Sequence, residues 1–232
     1  MSPLSYSSQT PDQNGAVLTF RKRILLIVLA CCIQMIYIPA SNRAEGGIEP
    51  RLPIDVFPIW PVWVLPYVLC YLLWFISALW ILVRMEDRLF RAFIAACMLT
   101  FALGTTTFVV FPTFVPAATL AGSDIFTVVL RIIHETWGRY AALPSGHVYI
   151  TSLLALFFAR WYPHHRLSWI LILTVVSLST LFTGQHYILD VIAGFLVALA
   201  GYHFGLWRAG FYSPQKQSGD KPGKRVPSSS LN

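Results

Sequence analysis

Residues 144–190 read PSGHVYITSLLALFFARWYPHHRLSWILILTVVSLSTLFTGQHYILD, two apolar runs broken once by a short polar turn. The second run, 167–184, is long enough for a helix to cross a hydrocarbon core, which takes roughly 17 to 25 residues. The first, 148–162, is shorter, but Pro144 and Pro163 bound it, and Arg160 and Trp161 can snorkel to an interface. A chain that crosses a membrane twice comes back to the face it left. His147 and His186 therefore share one face.

Similar runs lie at 24–40, 60–83, 92–112 and 187–207, so the chain is read as an all-α integral membrane protein built as a six-transmembrane-helix bundle. Composition agrees, with 56% hydrophobic, 15% aromatic and only 12% charged residues. Residues 21–208 form the membrane domain; 1–20 and 209–232, polar and poor in apolar residues, read as disordered cytoplasmic tails. A cleaved signal peptide ending at Ala40 competes for the first span, and would leave the other five oriented as before.

Basic residues near span ends stay in the cytoplasm. With the N-terminus inside, Arg21, Lys22, Arg23, Arg84, Arg88, Arg91, Arg160, Arg166, Arg208 and the basic C-terminal tail all fall inside, and only Arg43, Arg51, Arg131 and Arg139 fall outside. Both termini are then cytoplasmic, and the shared face of the two histidines is the extracytoplasmic side of a multi-pass protein of the cell membrane. The net charge of +7 borders spans and forms no patch interleaved with aromatics, so no nucleic-acid partner is expected.

Cys31, Cys32, Cys70 and Cys97 lie within spans and lack ligand spacing, and there is no phosphate-binding loop or dinucleotide fingerprint. No cofactor and no metal are expected. His164 and His165 sit in an inner turn on the wrong face. His203 lies 13 residues beyond Asp190, about 20 Å along a helix. His134 and Glu135 read as surface residues of a loop. A non-catalytic transporter or scaffold is disfavoured, because no broken-helix pair or interior charge marks a path through the midplane.

The long outer segment 112–147 carries Asp124, Arg131, His134, Glu135, Arg139 and the Pro-Ser-Gly-His turn. Ser145 can cap the helix that follows, and Gly146 lets a ligand approach the backbone, so that unpaired N–H groups face a bound anion. His147 falls in the first helical turn. Across from it, His186 and Asp190 stand four apart, expected on one helical face with their side chains in reach. A carboxylate that accepts one imidazole N–H leaves the other nitrogen free to act as nucleophile or base.

Pro144-Ser145-Gly146-His147 followed by His186-x-x-x-Asp190, 39 residues from histidine to histidine, resembles the type 2 phosphatidic acid phosphatase superfamily over roughly residues 50–208. The resemblance implies His186 as the nucleophile forming a phosphohistidine, Asp190 as its orienting partner, and His147 as the general acid. It implies Ser145 and Gly146 as holders of phosphate oxygens. The family's Lys-x6-Arg-Pro is absent, and Thr180 stands where an arginine normally precedes the nucleophile by six. Arg139 and Arg131 are the outer candidates for the missing charge, since guanidinium suits bidentate phosphate binding. Leu52-Pro53-Ile54-Asp55 and His186-Tyr187 look like the inositol phosphorylceramide and sphingomyelin synthase branch, although Asp55 by itself reads as a solvated loop acid. The resemblance implies a metal-independent lipid phosphatase acting on a phosphatidate-like or polyprenyl phosphate in the bilayer. A lipid phosphotransferase with a lipid or glycan acceptor is the alternative.

Overall fold

The computed structural model describes residues 17–43, 46–136 and 140–212, and within them the chain is helical with no strand. The tails expected at 1–20 and 209–232 lie outside the described residues for 1–16 and 213–232. The helices are α1 (Phe20–Met35), α2 (Tyr37–Arg43), α3 (Val64–Arg84), α4 (Asp87–Val110), α5 (Ile125–Thr136), α6 (Gly146–Trp161), α7 (Arg166–Phe182) and α8 (Ile188–Arg208).

Among the described residues, five helical stretches are long and apolar enough to cross a membrane: Phe20–Pro39, Pro61–Arg84, Asp87–Val110, Pro163–Phe182 and Ile188–Arg208. The run expected at 148–162 forms α6, whose 16 residues would reach only about 24 Å at 1.5 Å each. Its position explains its length. α6 contacts α3, α4, α7 and α8, and Val148, Tyr149, Thr151, Ser152, Leu153, Leu154, Phe157 and Phe158 are buried, so it packs against protein for most of its circumference. Lipid-type surface lies instead on the outer helices, where Leu25, Leu72, Phe75, Leu171 and Leu196 are exposed.

The first apolar run breaks in two at Ile36. Pro39 has no N–H to give the carbonyl of Met35, so α1 stops and α2 starts afresh with the proline in its first turn. At the other end of α1, Arg23 pairs with Asp87 at 2.6 Å and donates to the Leu82 carbonyl, tying α1 to the α3–α4 turn.

Small residues let the backbones of α4, α6 and α8 approach closely, as is usual where helices pack within a bilayer. A Cβ on Gly205 would lie 2.2 Å from the Ala92 carbonyl oxygen, and one on Gly201 2.0 Å from Thr100 Oγ1. Near the N-terminal end of α8 the same holds for Gly194, whose Cβ would stand 2.8 Å from the Ser145 carbonyl oxygen.

The segment 112–147, read from sequence as a long loop between spans, carries a helix of its own, α5. Asp124 accepts the N–H groups of Phe126 and Thr127 at 3.1 Å each, which starts α5. Thr127, Leu130 and Ile133 form its buried face, and Leu130 and Ile133 pack with Val64 and Tyr67 in a small second core. Three stretches outside the long helices are also stitched together. Ile48 N–H donates to the Pro112 carbonyl, Phe114 N–H donates to the Ile48 carbonyl, and Thr113 accepts from Ala142 N–H and, through its hydroxyl, from Leu143 N–H. Residues 46–60 thus form a strap across the end of the bundle where α8 begins.

Candidate active site

α7 ends in a tight turn at Gly184, whose φ of 67° lies in the left-handed region that glycine adopts without penalty. The turn folds back so that Gln185 N–H and His186 N–H both donate to the Thr180 carbonyl at 3.1 Å. Thr180, the residue standing in place of an arginine, is fully buried and its hydroxyl donates to the Ser177 carbonyl. It braces the backbone of His186 from beneath.

His186 does not lie on the helix as expected. Tyr187 is the N-cap of α8 and His186 precedes it, so the contact with Asp190 comes from capping geometry. Asp190 has no exposure, and its Oδ2 accepts Tyr187 N–H at 2.8 Å and lies 3.3 Å from His186 Nδ1. A carboxylate only accepts, so Nδ1 carries the proton and Nε2 presents its lone pair. Asp190 Oδ1 is buried with no hydrogen-bond partner among the described residues.

The Pro-Ser-Gly-His turn is docked against that same helix start. Ser145 N–H donates to the Asp190 carbonyl at 2.9 Å, and Gly194 lies beneath the turn. Ser145 is the N-cap of α6 by position but makes no side-chain capping bond, and its hydroxyl is buried without a partner among the described residues. His147 projects from the first turn of α6 and is 8% exposed. Its ring stacks on Tyr67 at 4.0 Å, meets Tyr71 edge-on at 5.3 Å and Trp74 at 5.5 Å, and its Nε2 has no partner among the described residues. The centroids of His147 and His186 are 6.2 Å apart. Tyr67, Tyr71 and Trp74 are spaced as one face of α3, a helical signal present in the sequence but silent about what the face would meet.

Both rings line a cavity of about 500 Å³, together with Gly146, Tyr37, Tyr71, Trp74, Phe108, Phe114 and Tyr149. A smaller cavity of about 300 Å³ lies outside it and shares His186, Gly184 and residues 115–117. His186 therefore has two approaches, one aromatic and one opening under the strap.

The strap grips α8 where His186 stands. Asp55, read from sequence as a solvated acid, is 5% exposed, and its carboxylate accepts Leu52 N–H at 2.7 Å and Ile188 N–H at 2.9 Å. Its burial depends on a partner N–H that comes from a helix start 133 residues away. Glu49 accepts the Tyr187 hydroxyl proton. Burial and this bond push the Tyr187 phenol above its usual pKa, with Arg51 pulling against them.

His134, also read as a loop surface residue, instead bridges α5 to the backbone of the turn after α7. Its Nε2 lies 2.9 Å from the Thr183 carbonyl and so carries the proton, leaving Nδ1 to accept Ala118 N–H. Burial holds its pKa down, with the Thr183 carbonyl acting in the opposite sense. The two arginines singled out from sequence differ in placement. Arg131 donates to the Leu120 and Gly122 carbonyls and lines neither cavity; Arg139 lies outside the described residues.

The close approach at Gly194 gives a direct test of this docking. Gly194→Ala should force the Ser145 turn outward, at about 1–3 kcal/mol for overpacking. A lowered thermal midpoint together with reduced activity is expected; a midpoint equal to the parent's would show that the turn does not bear on α8.

A family model described as the PAP2 superfamily matches residues 59–204. No curated protein matches the chain.

Proposed function

The chain belongs to the PAP2 superfamily, and from that premise we propose that it is an integral membrane lipid phosphatase, hydrolysing a phosphatidate-like or polyprenyl phosphate or diphosphate through a phosphohistidine at His186. The observation that carries this reading is the pair of imidazoles 6.2 Å apart across one cavity, one with its Nδ1 held by a buried carboxylate. That separation lets a single phosphoryl group touch both rings at near-attack and hydrogen-bond distances of about 3 Å each.

His186 Nε2 attacks phosphorus and forms the N–P bond as the bond to the lipid oxygen breaks. His147 gives its Nε2 proton to that departing oxygen. Water then attacks phosphorus, His147 takes the proton back from the water, and the N–P bond breaks to release phosphate. Asp190 supports the first step by stabilising the charge that develops on His186 as its lone pair is used. The start of α6 offers backbone N–H groups at Gly146 and His147, and the buried Ser145 hydroxyl a further donor, to the phosphate oxygens. The aromatic wall of the larger cavity suits the apolar part of a lipid beside its headgroup. The site faces the extracytoplasmic side in this reading, with both termini in the cytoplasm and α6 as a sixth, protein-shielded crossing.

A second reading, transfer of the phosphoryl or phospho-headgroup to a lipid or glycan acceptor, is favoured by the two cavities that meet at His186. The two readings part in one experiment. A labelled lipid phosphate is supplied in bilayers with and without diacylglycerol, ceramide or a lipid-linked sugar. Inorganic phosphate released at one rate regardless of acceptor is expected of the phosphatase; label moving into an acceptor with little free phosphate would replace it with the transferase.

His147 should reveal its part through the leaving group. His147→Ala is expected to lose on the order of 10²-fold more activity on an alkyl phosphate than on an activated aryl phosphate, whose oxygen departs without protonation. Equal losses on the two substrates would remove it from the acid role.

A further inference from the structure

We propose that Arg51 is the cation that binds the substrate's phosphate at His186; this rests on the lipid-phosphate reading above. The superfamily's usual basic residues are missing from this chain, yet a phosphoryl group at His186 needs positive charge to be held. Arg51 is the single Lys or Arg among the described residues that line either cavity, and the cavity it lines is the one that opens onto His186 beneath the strap. Arg131 is spent on two carbonyls.

The position of Arg51 is built, although its side chain is exposed. Two residues before it, Glu49 holds the Tyr187 hydroxyl; four residues after it, Asp55 holds Ile188 N–H. Further back the strap is bonded to Pro112 and Phe114 through Ile48. The backbone at Arg51 is thus fixed on both sides to the two residues that follow His186. Neither nearby acid forms an ion pair with it. Glu49 is engaged by the phenol and Asp55 by two N–H groups, and Arg51 has no ion pair or hydrogen bond among the described residues. A guanidinium there is left with its planar donor fork available for two phosphate oxygens, while Gly146 at the start of α6 lines the larger cavity that also reaches His186.

The test is direct binding of inorganic phosphate and of a short-chain phosphatidate to the full-length protein in detergent, read as ligand-dependent stabilisation of the thermal midpoint. Arg51→Gln should weaken both about 10- to 100-fold, the loss of one charge-assisted contact. Arg51→Lys should fall between, since an ammonium restores charge without the fork. Both variants should melt like the parent without ligand, because the side chain is exposed. Phosphate affinity unchanged in Arg51→Gln, or no phosphate binding by the parent protein, overturns the proposal. Turnover judges the other reading separately. A parent protein that binds phosphate in an Arg51-dependent way but neither hydrolyses nor transfers lipid phosphate would leave this site standing and remove the enzyme.

Discussion

His186→Ala is expected to abolish turnover on every substrate, alkyl or activated aryl alike, by on the order of 10⁵–10⁶-fold, the scale seen when the nucleophile of a covalent pathway is removed. Among the described residues no other imidazole is paired with a carboxylate. His147 is the nearest imidazole, but its ring is clamped between Tyr67, Tyr71 and Trp74, and no carboxylate bonds to it. The variant should fold, because the bonds that form the turn run through the backbone of residues 180–186. Brief exposure of the parent protein to ³²P-labelled substrate, quenched in base, should leave label on the protein, and His186→Ala should leave none. Label persisting in that variant would move the nucleophile elsewhere.

Asp190→Asn should rank next, with a loss near 10⁴-fold and little loss of fold. Oδ2 now serves two donors at once, His186 Nδ1 and Tyr187 N–H. An amide oxygen can go on accepting the Tyr187 N–H, so the cap survives. The amide can no longer supply a negative charge to a developing imidazolium, and if its NH₂ turns to Nδ1 it selects the wrong tautomer. Asp190→Ala separates these effects, since it also removes the cap, at about 0.5–2 kcal/mol. A large fall in turnover with a small fall in thermal midpoint is expected for Asn, and falls in both for Ala. If Asn kept more than about a tenth of parental turnover, the tautomer argument drawn from histidine-dependent sites would not apply.

Much of the architecture could be read because hydrophobic runs record which residues avoid water, and five of the expected runs sit on single helices, α3, α4, α6, α7 and α8, with ends within five residues of those expected. What could not be read came from contacts across long separations. Asp55 has an ordinary loop acid's neighbours in sequence; only the arrival of Ile188 makes it a buried acceptor. α5 left a trace, a Ser-Asp start and apolar residues at 126, 129, 130 and 133, but a 12-residue helix among polar neighbours is weak beside spans of 20. For the site, the two histidines and Asp190 were legible as a pattern. Its geometry was not, since the His186 contact is made by a residue before the helix, not on it.

The strap also bears on where this protein's working unit begins. The superfamily match starts at residue 59, past Ile48, Glu49, Arg51 and Asp55. A chain trimmed to that boundary would keep Pro144–His147 and His186–Asp190 intact while stripping the Tyr187 phenol and the Ile188 amide of their acceptors. For expression or for grafting onto another bundle, the boundary belongs upstream of Gly46, and a tag inserted between α2 and α3 would disturb the candidate site from outside the family's own borders.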